Sequence, residues 1–198
     1  MSALVLASAS SSRARMLQHA GVPFDVVPAH VDEDSVKEAL LAEGISFAGV
    51  ADALAELKAV RVSHKIGGVI VLGGDQVLGF DGELVNKCES LEAARALLWR
   101  LRGRRHELFS AAVLAKDGAP IWRHTAKVSL LMREFSEAFL DDYLNRHGAE
   151  LLRGVGCYRV EDDGLQFFER IDGDYFAVQG LPLLQLLTPL REHGVLTR

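Results

Sequence analysis

Apolar and polar positions fall in short blocks along this chain, and the blocks predict a mixed α/β fold. Residues 3–7 are wholly apolar, which suits a buried strand. Residues 8–12, mostly serine, favour a turn and a helix N-cap. Residues 13–20 then read as a short helix with Met16, Leu17 and Ala20 on one side, stopped by Gly21. A second strand is expected over 24–27, leading to an acidic loop of Val31, Asp32, Glu33 and Asp34. Helical periodicity follows over 35–43 and 47–64. The apolar run 69–72 predicts a strand that ends in Gly73-Gly74-Asp75-Gln76, residues of a kind that makes turns. Residues 77–80 and 83–85 predict the arms of a hairpin around Asp81-Gly82.

A helix is expected over 90–101 with Ser90 as its cap, then long strands over 107–115 and 121–132 around Asp117-Gly118. An amphipathic helix over 136–147 ends at Gly148. Short strands near 155–160 and 165–169 precede a last helix, 183–193, entered through Pro182. Strands and helices alternate early and strands pair locally later, so the sheet is expected to be mixed rather than purely parallel. Residues 1–198 show no repeat, low-complexity tract or linker, and read as one domain.

Composition narrows the function classes. Of 198 residues, 49% are hydrophobic and 25% charged, which is ordinary for a globular protein. The net charge of −5 argues against a nucleic-acid binder that works by neutralising many phosphates. A local pocket of Lys and Arg could still hold a triphosphate. Cys88 and Cys157 are far apart in sequence and in no Cys-x-x-Cys arrangement, which speaks against a disulfide framework or a cysteine zinc site. The opening residues lack a basic segment of the secretory kind, and no stretch approaches the roughly 18 apolar residues that span a bilayer. The expectation is a reduced, cytoplasmic, soluble protein with no membrane partner.

Three segments could carry chemistry. The expected order strand, Ser8-Ala9-Ser10-Ser11-Ser12-Arg13, helix offers backbone N–H groups, hydroxyls and a guanidinium to phosphate. Its plain structural reading is a serine cap and a surface arginine. Asp75, beside two glycines that permit close approach, could activate water or hold a metal, or belong to an ordinary turn. Asp32-Glu33-Asp34 could bind Mg²⁺ through carboxylates and waters, or be a solvated acidic loop. Lys58 and Lys87, each taken alone, read as surface lysines. Neither a Walker A pattern nor a dinucleotide fingerprint is present, which disfavours those nucleotide folds and an oxidoreductase.

The ordered set resembles one family. Leu6-Ala7-Ser8-x-Ser10-x-x-Arg13, Val31-Asp32-Glu33, Leu54-Ala55-x-x-Lys58-Ala59, Gly74-Asp75-Gln76-Val77, Asn86-Lys87, Gly156-x-Tyr158-x-x-Glu161 and Gly180-Leu181-Pro182-Leu183 are similar to the motifs of the Maf family of nucleotide pyrophosphatases. The resemblance implies cleavage of a nucleoside triphosphate between the α- and β-phosphates, to nucleoside monophosphate and pyrophosphate. It implies an elongated, twisted mixed sheet flanked by helices, of the Maf and inosine-triphosphatase kind, with two lobes and a cleft between them. Ser8, Ser10, Arg13, Lys58 and Lys87 match phosphate-binding positions. Asp75 matches the catalytic base, and Glu33 with Asp75 the carboxylates near a divalent cation, Mg²⁺, Mn²⁺ or Co²⁺. Family members are often homodimers.

The chain departs from the pattern at three places. Ala14 stands where a second arginine is usual, serine where a proline usually precedes the arginines, and Cys88 where a proline usually follows Lys87. Gln76 and Glu161 resemble the subgroup acting on 7-methyl-GTP, as against Thr and Gln in the dTTP/UTP subgroup. That subgroup tends to carry tryptophan where this chain has Ser12, so Ser12, Gln76 and Glu161 are the expected specificity positions, for a modified purine triphosphate. The other class weighed is a nucleotide-binding regulator linked to cell division that keeps the cleft without hydrolysis, a reading prompted by Ala14.

Overall fold

The computed structural model describes residues 3–197, leaving Met1, Ser2 and Arg198 outside. Seven strands form one mixed sheet in the order β2-β1-β3-β5-β6-β7, with β4 pairing onto β3. They are β1 Leu4–Leu6, β2 Asp25–Val26, β3 Ile70–Phe80, β4 Glu83–Val85, β5 Arg105–Lys116, β6 Ala119–Met132 and β7 Phe168–Asp172. The helices are α1 Ser11–His19, α2 Glu33–Ala42, α3 Phe47–Ser63, α4 Leu91–Leu101, α5 Glu137–His147, α6 Tyr175–Val178 and α7 Leu183–Glu192. The β1 pairings with β2 and β3 are parallel and the remaining pairings antiparallel, as the switch from alternating to local pairing predicts.

Local chemistry sets many element ends. The hydroxyls of Ser10, Ser46, Ser90 and Ser136 accept N–H bonds at the starts of α1, α3, α4 and α5. Asp81 and Gly82, both at positive φ, close the two-residue hairpin between β3 and β4. Asp117 and Gly118 do the same between β5 and β6.

The strand expectations fail at two places. Gly73-Gly74-Asp75-Gln76 is not a turn at a strand end, because β3 runs unbroken through it, paired residue by residue with β5. The glycines serve packing. A Cβ on Gly73 would stand 2.0 Å from the Ala55 carbonyl oxygen of α3, and one on Gly74 would stand 3.1 Å from Arg13 Nε. Residues 155–160 form turns rather than a strand, and 163–167 a 3-10 helix that β7 only follows. Side chains satisfy that backbone in place of a ladder: Tyr143 Oη accepts from Arg159 N at 3.0 Å, and Tyr175 Oη donates to Val160 O at 2.8 Å.

Three larger blocks of core frame the sheet. At one end Leu6, Leu17, Leu72, Leu114 and Leu186 join β1, β3 and β5 to α1 and α7. At the other, Leu78, Leu98, Leu108, Leu130 and Tyr143 join the far ends of β3, β5 and β6 to α4 and α5. Val50, Leu54, Ala59 and Val113 seat α3 across the middle. Cys88 and Cys157, far apart in sequence, pack together in the second block as free thiols, and burial followed by the Cys88 thiol pushes Cys157 upward in pKa. No helix among the described residues is long and apolar enough to cross a membrane.

Candidate active site

A gap in strand pairing creates the cleft. On one edge of β3, β1 pairs no further than Leu72 and β4 begins only at Leu78. Residues 73–77 therefore have no registered strand partner on that side among the described residues. The loop after β1 and the segment after β4 flank this opening, and they carry Ser8 to Arg13 and Lys87. Residues 150–161 and the turn after α6 complete a cleft of about 510 Å³, a size that suits a small ligand.

Strand alternation sends two kinds of side chain from this stretch of β3. Asp75, 4% exposed, shares the face of Gly73 and meets α3. There Lys58 lies in the buried stripe with Leu54, Ala55 and Val62 rather than on the surface. Lys58 Nζ donates to Asp75 Oδ1 at 2.5 Å and stands 2.6 Å from Glu33 Oε1. One ammonium thus bridges two carboxylates from different elements. Burial would raise the Glu33 pKa, but Lys58, and after it Lys87 and Lys37, hold it below its ordinary value.

Glu33 reaches this position because the acidic segment is not a loop. Asp32 caps α2, accepting from Ser35 N at 3.3 Å and Ser35 Oγ at 2.8 Å, so Glu33 and Asp34 form the first helical turn. Among the described residues no three of His, Cys, Asp and Glu converge to hold a metal ion by themselves. Glu33 and Asp75 nevertheless converge on one positive charge, Lys58, which fits a site where a cation binds two carboxylates and substrate oxygens.

On the opposite face of β3, Gln76 Nε2 donates to Ser110 Oγ at 2.9 Å, Ala177 O at 2.9 Å and Val178 O at 3.0 Å. Ser110 Oγ also donates to Ala177 O at 2.6 Å. This amide fixes the end of α6, and with it the turn at Gln179 and Gly180. Arg13 is buried beside that turn. Its Nε donates to Gly180 O at 2.8 Å and its Nη1 to Ser8 Oγ at 3.1 Å, while Ser10 N donates to the same Ser8 hydroxyl at 3.2 Å. Desolvation lowers the Arg13 pKa, opposed by the charges of Asp75 and Glu33. Arg13 thereby ties the serine loop to the α6 turn.

The ten positions that the family resemblance marks line this one cleft: Ser8, Ser10, Ser12, Arg13, Glu33, Lys58, Asp75, Gln76, Lys87 and Glu161. Asp32 and Asp34, the other two candidate metal carboxylates, are not among its lining residues: Asp32 caps α2 through Ser35 and Asp34 pairs with Lys37. Ser12 Oγ donates to Glu161 Oε1 at 3.4 Å, joining positions 149 residues apart. Arg159 Nη2 lies 3.7 Å from the same Glu161 oxygen. Ala14, partly buried, packs instead against the core block of Leu4, Leu17 and Leu186, and is not among the residues that line the cleft.

Sequence reasoning missed Lys37, Arg153 and Arg159, which also line the cleft. Lys37 could have been found from its spacing, four residues after Glu33 on one helix and so on the same face. Arg153 and Arg159 lie in irregular segments with no such signal. In all, six cationic side chains line the cleft against four carboxylates, an excess of positive charge in a chain of net charge −5. That excess favours an anionic ligand.

Known proteins resemble this chain along nearly its whole length. A nucleoside triphosphate pyrophosphatase of Caulobacter vibrioides is 52% identical over 194 residues, covering 98% of this chain and 97% of that protein. Proteins of the same description from Granulibacter bethesdensis and Roseobacter denitrificans are each 50% identical, covering 98% of this chain and 98% of their own length. The profile of the family described as Maf-like protein matches residues 3–193, and the chain belongs to that family.

Proposed function

We propose that this protein hydrolyses nucleoside triphosphates at the α–β phosphoanhydride bond, releasing nucleoside monophosphate and pyrophosphate. The observation that carries this reading is the Asp75–Lys58–Glu33 triplet, buried in the cleft that the serine loop opens onto. The names of the relatives support it. In the proposed reaction Asp75 accepts a proton from water as the water oxygen attacks the α-phosphorus, and the bond to the bridging oxygen of pyrophosphate breaks. Lys58 shifts from the carboxylates toward phosphate oxygens, which frees a carboxylate oxygen of Asp75 to act as base. Ser8, Ser10 and the N–H groups at the start of α1 hold phosphate oxygens, and Arg13 keeps that loop in place. Such positioning and charge neutralisation supply most of the catalysis that phosphoryl-type chemistry needs. A divalent cation, Mg²⁺, Mn²⁺ or Co²⁺, would be held by Glu33 and Asp75, and would neutralise phosphate charge.

For the base, the reading is a guanine-like ring, with 7-methyl-GTP as the candidate. Glu161 at the cleft wall could accept from N1–H and the exocyclic amine of guanine, and Ser12 beside it marks the same end of the cleft. The test is a product screen over standard and modified nucleotides, with and without divalent metal. The expected first product is pyrophosphate. Orthophosphate as the first product would mean attack at the γ-phosphate and would overturn the proposal.

A further inference from the structure

Lys37 is the buried charge in the cleft that the family resemblance does not cover. It lies four residues after Glu33 on α2, and its side chain is only 10% exposed. Its ammonium has one hydrogen-bond partner among the described residues, Asp34 Oδ1 at 3.1 Å, and the Asp34 side chain is itself 83% exposed. An ammonium carries three donors, so most of its hydrogen-bonding capacity is not used by protein. A lysine on a helix can ordinarily extend its ammonium into water, and burying the charge beside one solvated partner costs stability. That cost, on a wall of the same cleft, points to a ligand that completes the shell.

The order of charges says which part of the ligand. Asp75 stands at one end, Lys58 bridges it to Glu33, and Lys37 lies one helical turn beyond Glu33 on α2, on the same cleft wall. In-line displacement at phosphorus puts the attacking water and the leaving group on opposite sides. Cations that meet the leaving group therefore belong away from the base. Resting on the reading that Asp75 activates water, we propose that Lys37 is a ligand of the departing pyrophosphate, gripping its phosphate oxygens from the Glu33 end of the cleft. When no phosphate is bound, Asp34 holds the Lys37 ammonium; when phosphate arrives, the ammonium turns to it.

The experiment compares inorganic pyrophosphate with the nucleoside monophosphate as product inhibitors of the wild type, Lys37→Met and Lys37→Arg. Methionine keeps the buried stem and removes the charge. In Lys37→Met the pyrophosphate Ki should rise roughly tenfold or more, the range for losing a hydrogen bond to a charged group. The monophosphate Ki should stay within about twofold, and Lys37→Arg should recover most of the pyrophosphate affinity. Equal weakening of both products, or no change in either, would overturn the assignment. Asp34→Asn leaves Lys37 in place and releases its partner, so pyrophosphate should bind a few-fold more tightly; weaker or unchanged binding counts against the proposal even if Lys37→Met fails to fold. If the wild type turns over no nucleotide, the hydrolase reading fails, yet calorimetric titration with inorganic pyrophosphate still decides the role of Lys37.

Discussion

Replacing Lys58 by methionine preserves most of the side-chain volume and deletes the charge that bridges Asp75 and Glu33. In the native protein that ammonium lies 2.5 Å from Asp75 and 2.6 Å from Glu33, and the Asp75 side chain is 5% exposed. Removing one partner of a buried ion pair leaves an uncompensated charge and typically costs about 3–5 kcal/mol. At roughly 2 kcal/mol per molar urea, a loss of that size moves the unfolding midpoint by about 1.5 M or more. The loss should depend on pH. A buried acid without its counter-charge is disfavoured when ionised, so its folded pKa rises above the unfolded value. The variant should therefore lose stability as pH rises through neutrality and regain part of it as pH falls toward 5, relative to wild type at each pH. Lys58→Met with Asp75→Asn should recover much of the loss, because the stranded carboxylate is gone. The assay is urea unfolding of the wild type, both single variants and the double at pH 5 and 7.5. A Lys58→Met midpoint close to wild type at pH 7.5, or no rescue by the second change, would refute the buried bridge.

Other consequences follow from the same geometry. Asp75→Asn should keep nucleotide binding and lose most of kcat, on the order of a hundredfold or more; a rate within a few-fold of wild type would make Asp75 a structural residue. Glu161→Gln should cost a guanine nucleotide roughly ten- to a hundredfold in kcat/KM relative to a pyrimidine nucleotide, and a uniform loss across bases would assign Glu161 to the phosphates instead. His106, 1% exposed and 2.8 Å from Tyr158 Oη, has its pKa lowered by burial to about 4. It stays neutral in the fold while the unfolded chain takes up a proton, so stability on the order of 3 kcal/mol, present above pH 6.5, should drain away between pH 6.5 and 4. His106→Asn should flatten that part of the stability profile, and an unchanged slope would contradict the assignment.

The one-dimensional signals worked where structure is local. Serine caps, Asp-Gly hairpins and the periodicity of α3, α4 and α5 depend on neighbours in sequence, and these elements stand where the pattern put them. They misled where a distant segment decides. Gly73-Gly74-Asp75 has the composition of a turn, yet pairing with β5 makes it strand interior, and its glycines answer to α3 and Arg13. Residues 155–160 are rich in apolar positions, as a strand would be, because Val155, Cys157 and Val160 are buried, while tyrosine hydroxyls serve the backbone that a ladder would have served. The candidate residues were found through the family's ordered motifs rather than through periodicity. What no motif conveys is how they connect: that Lys58 is buried between two carboxylates, that Gln76 uses its amide on α6, or that Ala14 packs, partly buried, against the core.

The central claim is attack of water at the α-phosphorus, with Asp75 as the base. Hydrolysis in water enriched in the heavy oxygen isotope, followed by mass spectrometry of both products, tests it most directly. Water attacking the α-phosphorus leaves one heavy oxygen in the nucleoside monophosphate and none in the pyrophosphate. Heavy oxygen in the pyrophosphate, or in free orthophosphate with a nucleoside diphosphate as co-product, would contradict the account.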